Sequence, residues 1–258
     1  MDDVKIRILK KYDTEGDTYG VLDQYLYHRW SWNKTSQKLL NFLILGAKSG
    51  GKKPSNSIML DAGCGNGRWS QLYAKLGLQV IGVDFAPNMV KAAAKRANIH
   101  HYIEKFSGLL ADLEYLPFKD SIFDYIHLYG VIEHLRKPKE VVVALSKLLK
   151  PGGFLLIDVP IALGLSHLTL RLFGYHPYYR FFRNNYIEKL VKEVKCLKIE
   201  RKEPTTYIWT SGLANRIITF IAERLNSRVL NKLDELVQHT YKIPCGMLYL
   251  IRKIPKVA

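Results

Sequence analysis

Three glycines closely follow an apolar run in the segment MLDAGCGNGRWS at residues 59–70, and a carboxylate stands just before them. The glycines are Gly63, Gly65 and Gly67, and the carboxylate is Asp61. Because glycine tolerates positive φ and has no side chain, such a turn lets a ligand touch the main chain. Glycine-rich turns that open a helix bind several classes of nucleotide cofactor, so the segment predicts such a site without naming the class.

The spacing of the turn argues against two of these classes. A phosphate-binding P-loop needs Lys and Ser or Thr after its last glycine, whereas Arg68 and Trp69 follow here. A dinucleotide fold prefers G-x-G-x-x-G, and this chain has G-x-G-x-G. Asp61 would also repel a pyrophosphate, and its charge suits a ligand that carries an ammonium or sulfonium group.

Two further carboxylates follow later apolar runs. Asp84 ends GVDF and could accept hydrogen bonds from both hydroxyls of a ribose, or could simply cap the helix that starts at Pro87. Asp112 in ADLEYLPF could accept a hydrogen bond from an adenine amine while Leu113 packs on the base, or could be a turn residue. A positive tail, a ribose and an adenine without phosphates together describe S-adenosylmethionine.

The elements that must position these carboxylates alternate between strands and helices. The strands are predicted at residues 57–63, 78–85, 105–112, 122–130, 154–160 and 196–203, with a helix at 138–153 that ends in Pro-Gly-Gly. Residues before about position 50 have a helical pattern and lead into the linker GAKSGGKKPSNS at 46–57. Such alternation predicts an α/β fold with a doubly wound parallel sheet, whose ligands bind beyond the carboxyl ends of the strands.

Four segments in this order resemble the class I S-adenosylmethionine-dependent methyltransferases. They are LDAGCGNG (60–67), GVDFAPNMV (82–90), ADLEYLPFKDSIFDYIHLYGVIEHL (111–135) and LLKPGGFLLI (148–157). The resemblance is to the type 11 group, which includes quinone-biosynthesis methyltransferases. It implies a seven-stranded, mostly parallel sheet, in which residues 246–253 form an antiparallel last strand beside the fifth.

The resemblance also implies a site for S-adenosylmethionine, with S-adenosylhomocysteine as the product. Its cofactor-binding residues would be Asp61, Gly63, Cys64, Gly65, Asp84, Phe85, Met89, Asp112, Leu113 and Tyr129. In this family Asp61 would hold the methionyl amine, directly or through water, and Phe85 and Met89 would border the adenine. Tyr129 resembles a position whose backbone faces the methionine moiety.

The candidate catalytic residues are Glu133 and His134 in GVIEHL, a loop that lies over the methyl group in the resembling enzymes. A general base would help only a hydroxyl or carbon-acid acceptor. The alternative is structural: His134 would bond the backbone and Glu133 would orient a helix start. We expect no metal, because no ligand cluster such as H-x-x-x-H occurs.

Domain organisation follows from the same pattern. We expect a helical N-terminal lid segment and linker at residues 1–56, and a methyltransferase domain at 57–258 with acceptor-side insertions near 160–182 and 211–241. Aromatic residues that could close the lid, or merely pack helices, are Tyr12, Tyr19, Tyr25, Trp30 and Trp32. The late amphipathic insertion could cap a hydrophobic acceptor, form a dimer face or lie on an anionic membrane, and we favour the cap.

Charge and composition limit the partners. The formal net charge is +16, and residues 180–258 carry 16 basic and 7 acidic side chains. Because the charges are scattered, a solvated surface is slightly favoured over a site for RNA or lipid head groups. Three distant cysteines and the lack of an apolar N-terminal run predict a cytoplasmic protein.

The predicted function is therefore methyl transfer to a small-molecule or lipid-like acceptor. An RNA methyltransferase that uses the basic C-terminal third is the alternative, and a non-catalytic cofactor-binding partner protein is a minor one. The sequence does not decide the acceptor, its nucleophilic atom or the oligomeric state.

Overall fold

A computed structural model describes residues 3–15, 26–51, 53–173, 179–208, 220–221, 223–224 and 226–255. Seven strands form one sheet: β1 Ile58–Ala62, β2 Gln79–Asp84, β3 Phe106–Leu110, β4 Phe123–Leu128, β5 Leu149–Pro160, β6 Leu197–Pro204 and β7 Gly246–Lys253. The helices in the described ranges are α1 Asp3–Glu15, α2 Leu26–Gly50, α3 Arg68–Lys75, α4 Pro87–Ile99, α5 Pro138–Leu148, α6 Leu165–Phe173, α7 Tyr186–Glu193 and α8 Ser227–Thr240.

The strand order in the sheet is β3-β2-β1-β4-β5-β7-β6. Strands β1 to β5 run parallel, and β7 is antiparallel to both β5 and β6. The chain leaves β1 toward β2 and later returns to β4 on the other side of β1, so the strand order switches there. A crevice at the carboxyl ends of β1 and β4 is the place where this fold class binds ligands. The predicted mostly parallel seven-stranded sheet is confirmed.

Alternate residues of the strands build two apolar layers, one on each face of the sheet. Leu60 in β1 and Leu155 in β5 pack on the side that α5 and α7 cover. Met59 and Leu156 point to the other side, where Phe42 of α2 packs among them. The two layers explain why strands buried on both faces are apolar almost throughout.

Two predicted boundaries are wrong. Residues 46–50 were expected in a linker, but α2 continues through them to Gly50, and Gly46 lies against the rings of Tyr125 and Phe154. Pro-Gly-Gly at 151–153 was expected to end α5, but α5 ends at Leu148 and these residues lie inside β5. The strand starts early because Leu149 already pairs with Phe123 of β4, before a register shift.

The late insertion packs on the N-terminal part of the chain. Trp30 of α2 donates its indole N–H to Asn231 of α8 at 2.8 Å, and Lys34 pairs with the buried Asp234 at 2.5 Å. The Tyr241 hydroxyl donates to the carbonyl of Leu163, which precedes α6. Residues 211–219, 222 and 225 of the insertion predicted at 211–241 lie outside the described ranges. Within those ranges, no helix has both the length and the apolar character needed to span a bilayer.

Candidate active site

The glycine turn after β1 is tied to the carboxyl end of β2. The backbone N–H groups of Gly63 and Cys64 both donate to the Val83 carbonyl, at 2.7 and 2.9 Å. Asp84 accepts from the Gly65 N–H at 2.9 Å with Oδ2 and from the Ala86 N–H at 2.9 Å with Oδ1. Burial raises the pKa of the Asp84 carboxyl, although these backbone donors oppose the rise. Asp84 therefore fixes the turn and the start of α4 together.

Two glycines leave main chain open to a ligand on either side of the crevice. Gly65 and Gly130 have φ values of +51° and +67°, and a Cβ added at either would meet no atom within 4 Å. By contrast, a Cβ on Gly63 would lie 2.3 Å from Val131 Cγ2. Gly63 is thus required by packing between the β1 and β4 turns, whereas Gly65 and Gly130 border free space.

Asp61 faces the protein interior beneath the glycine turn, not the open crevice. Its side chain is only 2% exposed. Oδ2 accepts from the Ser70 hydroxyl at 2.6 Å, and Oδ1 lies 3.0 Å from Nδ1 of His127 in β4. Burial and the nearby charge of Asp61 raise the pKa of the Cys64 thiol well above its usual value, so Cys64 is not a thiolate nucleophile.

Asp112 lies after β3 and forms an ion pair with the N-terminal helix. Lys5 of α1 donates to Asp112 at 2.6 Å and to Glu114 at 2.7 Å. Asp112 also accepts from the Glu114 backbone N–H at 3.0 Å, which is the predicted turn geometry. Leu113 is buried in the apolar layer beside it.

The residues after Asp84 are covered to different degrees. Phe85 is half-buried, whereas Met89 on α4 is 1% exposed and packs in the interior. The structure therefore brings Phe85 closer to the surface of the crevice than Met89.

Helix α1 crosses from the β3 side of the crevice to the β4 loop. Tyr12 places its hydroxyl 2.8 Å from His134 Nε2. One residue later, Asp13 accepts from the Asn88 backbone N–H at 2.8 Å, at the start of α4. With Lys5 on Asp112, these contacts hold α1 over the carboxyl ends of β2, β3 and β4.

The other aromatic residues named for the lid have different positions. Trp32 of α2 packs on Trp69 of α3 with ring centroids 3.8 Å apart, and Trp69 contacts Tyr129 at 4.8 Å. The Arg68 guanidinium lies 3.6 Å from the Trp32 ring centroid. These rings form an aromatic wall beside the crevice. Tyr19 and Tyr25 lie outside the described residues.

A second group of buried acids lies beyond the β4 loop. Asp158 near the end of β5 accepts from the Gly130 N–H at 2.7 Å. Burial raises the pKa of Glu133 to about 7, and burial with the adjacent Glu133 raises the pKa of Asp158 well above its usual value. Tyr179 donates a hydrogen bond to Glu133, and its ring contacts that of His134 at 5.4 Å. The β4 loop therefore lies beside two buried carboxyl groups, Glu133 and Asp158, whose pKa values are raised by burial.

The sequence analysis did not single out Lys5, Ser70, His127 or Asp158. Asp158 follows the same pattern as Asp61, Asp84 and Asp112, because it is an acid near the carboxyl end of a parallel strand. The sequence could therefore have indicated it. His127 is the one polar residue in an otherwise apolar stretch of β4, at 126–128. No local signal in the sequence indicates that Lys5 meets Asp112, since 107 positions separate them.

Comparison with known proteins gives the family of the central segment. Residues 60–157 match the model of the family described as Methyltransferase domain. A ubiquinone biosynthesis O-methyltransferase of Xanthomonas axonopodis pv. citri (strain 306) is 33% identical over 148 residues, which cover 53% of this chain and 59% of that protein. A malonyl-[acyl-carrier protein] O-methyltransferase of Serratia marcescens is 32% identical over 110 residues, which cover 43% of this chain and 41% of that protein. The chain thus spans less than two thirds of these curated relatives.

Solved structures with the same fold cover more of the chain at lower identity. A putative sarcosine dimethylglycine methyltransferase from Galdieria sulphuraria has a TM-score of 0.62 and 16% identity, covering 86% of this chain and 85% of that one. A magnesium protoporphyrin IX methyltransferase from Synechocystis with bound SAH has a TM-score of 0.59 and 18% identity, and the match covers 86% of this chain and 84% of that one. At these identities the structures support the fold.

Proposed function

We propose that the chain is an S-adenosylmethionine-dependent methyltransferase acting on a small-molecule or lipid-like acceptor, because residues 60–157 match the family model described as Methyltransferase domain. The observation that carries this proposal is the glycine turn after β1, whose Gly65 borders open space while Asp84 holds its backbone from β2. The names of two similar proteins describe O-methyl transfer.

The residues around the crevice fit such a cofactor. Asp84 accepts one backbone hydrogen bond with each oxygen, and a carboxylate oxygen has further lone pairs for the hydroxyls of a ribose. Asp61 adds a buried acidic group beneath the glycine turn, and Asp112 adds one after β3 that is paired with Lys5. These carboxylates suit an adenosyl group with a positive sulfur and amine, and they disfavour a pyrophosphate.

When bound, the cofactor supplies an electrophilic methyl group, which is transferred by in-line displacement. The chain contributes alignment and exclusion of water. Gly65 and Gly130 let the ligand lie against main chain on both sides of the crevice. Helix α1, held by Lys5 and Tyr12, covers the opening.

A hydroxyl acceptor would lose its proton on this path, and His134 is the proposed base. Its Nε2 is 2.8 Å from the Tyr12 hydroxyl, and its ring stands edge-on to Tyr179. Glu133, with a pKa raised by burial to about 7, is the residue beside it that can hold a proton at neutral pH. Relatives named as O-methyltransferases support a hydroxyl or carboxyl acceptor for this chain.

Labelled methyl transfer tests the acceptor class. The full chain is incubated with S-adenosylmethionine carrying a labelled methyl group and with one of two pools: a delipidated bulk RNA preparation, or a protein-free organic extract of cells. We expect label in the organic extract and none in RNA. Label confined to RNA would replace the small-molecule acceptor with the RNA alternative, to which the basic residues at 180–258 would then contribute.

A further inference from the structure

A buried polar chain lies beneath the glycine turn, and its members come from three elements. Ser70 on α3 donates to one oxygen of Asp61, and His127 on β4 meets the other. All three side chains are at most 2% exposed. Asp61 and His127 are register partners of the paired strands β1 and β4, so the sheet itself sets their separation.

The hydrogen bond to Asp61 fixes which nitrogen of His127 carries a proton. A carboxylate can only accept, so Nδ1 must donate across the 3.0 Å contact. In the neutral imidazole Nε2 is then an acceptor, and it is buried without a hydrogen-bond partner among the described residues. This leaves a polar atom that needs a donor nearby.

Tyr73 on α3 offers such a donor. Its hydroxyl is also buried without a partner in the described part of the chain, and its ring lies 5.1 Å from the His127 ring at a steep angle. Burial raises the pKa of Tyr73 well above its usual value, so the hydroxyl keeps its proton. One buried water, or a small rotation, would join Tyr73 to His127 Nε2.

We propose that His127 is a positioning residue for cofactor binding, which orients the Asp61 carboxylate beneath the glycine turn so that its charge attracts the cofactor's ammonium group. This inference rests on the proposed function. Asp61 attracts the ammonium group from beneath the glycine turn and does not contact it directly, because the Asp61 side chain is almost fully buried. Ser70 and His127 supply the donors that let a buried carboxylate stay charged.

Two substitutions of His127 separate this role from a packing role. Asn places an amide N–H near the position of Nδ1, so His127→Asn keeps a donor to Asp61. Leu has a similar bulk but no donor, so His127→Leu leaves the carboxylate with one donor fewer. Folding of both variants is checked by thermal unfolding before binding is measured.

Two ligands isolate the part of the cofactor that Asp61 attracts. S-adenosylhomocysteine carries the amino-acid tail, and 5′-methylthioadenosine has the same nucleoside without it. Calorimetry measures the Kd of each ligand for the wild-type chain and both variants. A residue that only supports packing would change both affinities alike. A residue that orients Asp61 would change the affinity for S-adenosylhomocysteine and leave that for 5′-methylthioadenosine as it is.

We expect His127→Leu to weaken S-adenosylhomocysteine about tenfold, as loss of a hydrogen bond to a charged group does, with methylthioadenosine unchanged. His127→Asn should restore most of the loss. Equal weakening of both ligands, or no weakening of either, would overturn the role of His127 while leaving the proposed function intact. Failure of the wild-type chain to bind either nucleoside would instead overturn the proposed function.

Discussion

Asp158 and Gly130 are joined by a 2.7 Å hydrogen bond in which the backbone N–H after β4 donates to the carboxyl group of β5. Asp84 and Gly65 form the same relationship at 2.9 Å, between β2 and the turn after β1. Each glycine has positive φ and borders open space. The two turns that face the crevice are therefore held from the neighbouring strand by a buried acid, which leaves their outer surfaces free for a ligand.

The Asp158 anchor can be tested by comparing two variants. Asn keeps an oxygen that accepts from Gly130 and carries no charge, which resembles the neutral carboxyl that burial favours. Asp158→Ala leaves the N–H of Gly130 without this partner. We expect Asp158→Ala to lose about 1–3 kcal/mol of unfolding free energy and Asp158→Asn to lose clearly less, as measured by urea denaturation. Equal losses would show that the hydrogen bond to Gly130 is not what stabilises the turn.

Glu133 should make stability depend on pH. Its pKa is about 7 in the folded chain against an ordinary 4.5, so between these values the folded state holds a proton that the unfolded chain has lost. Stability contributed by this proton is present at low pH and declines as pH rises from about 4.5 to about 7. We expect Glu133→Gln to flatten that decline by an amount on the order of 3 kcal/mol, as measured by urea denaturation across this pH range.

A surface glutamate provides the control for the pH experiment. Glu104 is exposed, and Glu104→Gln should leave the pH dependence as it is in the wild-type chain. A Glu133→Gln variant whose stability falls with pH as steeply as the wild type would contradict the buried protonated carboxyl.

The contact of α1 with Asp112 predicts that the helix can be loosened without unfolding the sheet. Lys5→Met removes both ion pairs, each of which is partly exposed and worth less than about 1 kcal/mol. Amide hydrogen exchange over residues 3–15 should accelerate about two- to fivefold, with exchange in β1 and β4 unchanged. Lys5→Arg, which keeps a cation able to pair with Asp112 and Glu114, is the matched control. Identical exchange in the two variants would show that Lys5 does not hold α1.

His134 should affect turnover rather than cofactor affinity. Once an acceptor has been found by labelling, His134→Gln should lower kcat by about 10²–10⁴-fold, the contribution typical of a general base. The Kd for S-adenosylhomocysteine should change little, because His134 contacts Tyr12 and Tyr179 and is the proposed base, not a proposed cofactor ligand. His100→Gln, at an exposed site, controls for loss of an imidazole. A kcat that survives the His134 substitution would remove it as the base.

The sheet and the glycine turn were predictable because their signals are local. Strands β1 to β4 are short apolar runs that end in or shortly before a glycine or an acid, and such local patterns are enough to predict them. The two boundary errors have a different cause. Gly46 lies within helix α2 because a Cβ there would come within 3.2 Å of the Tyr125 ring and 3.3 Å of the Phe154 ring, so this glycine serves close packing and does not end the helix. Tertiary packing there overrides the linker composition.

The polar partners inside the site could not be predicted in the same way. Asp61 was assigned to the cofactor, but its oxygens are engaged by Ser70 and His127, which are 9 and 66 positions away. Asp112 was assigned to the adenine edge, and the structure pairs it with Lys5 from the first helix. Such pairs depend on how distant elements meet, and a single sequence contains no signal for them.

Calorimetric titration with S-adenosylhomocysteine tests the central claim most directly, by comparing the wild-type chain, Asp84→Ala and the exposed-site control Asp120→Asn. Asp84 holds the Gly65 turn and is the proposed acceptor for the ribose hydroxyls. The wild-type chain and the control should bind alike, and Asp84→Ala should bind more than about tenfold more weakly. A wild-type chain that does not bind, or an Asp84→Ala variant that binds as tightly as the control, would contradict a nucleoside site at this crevice.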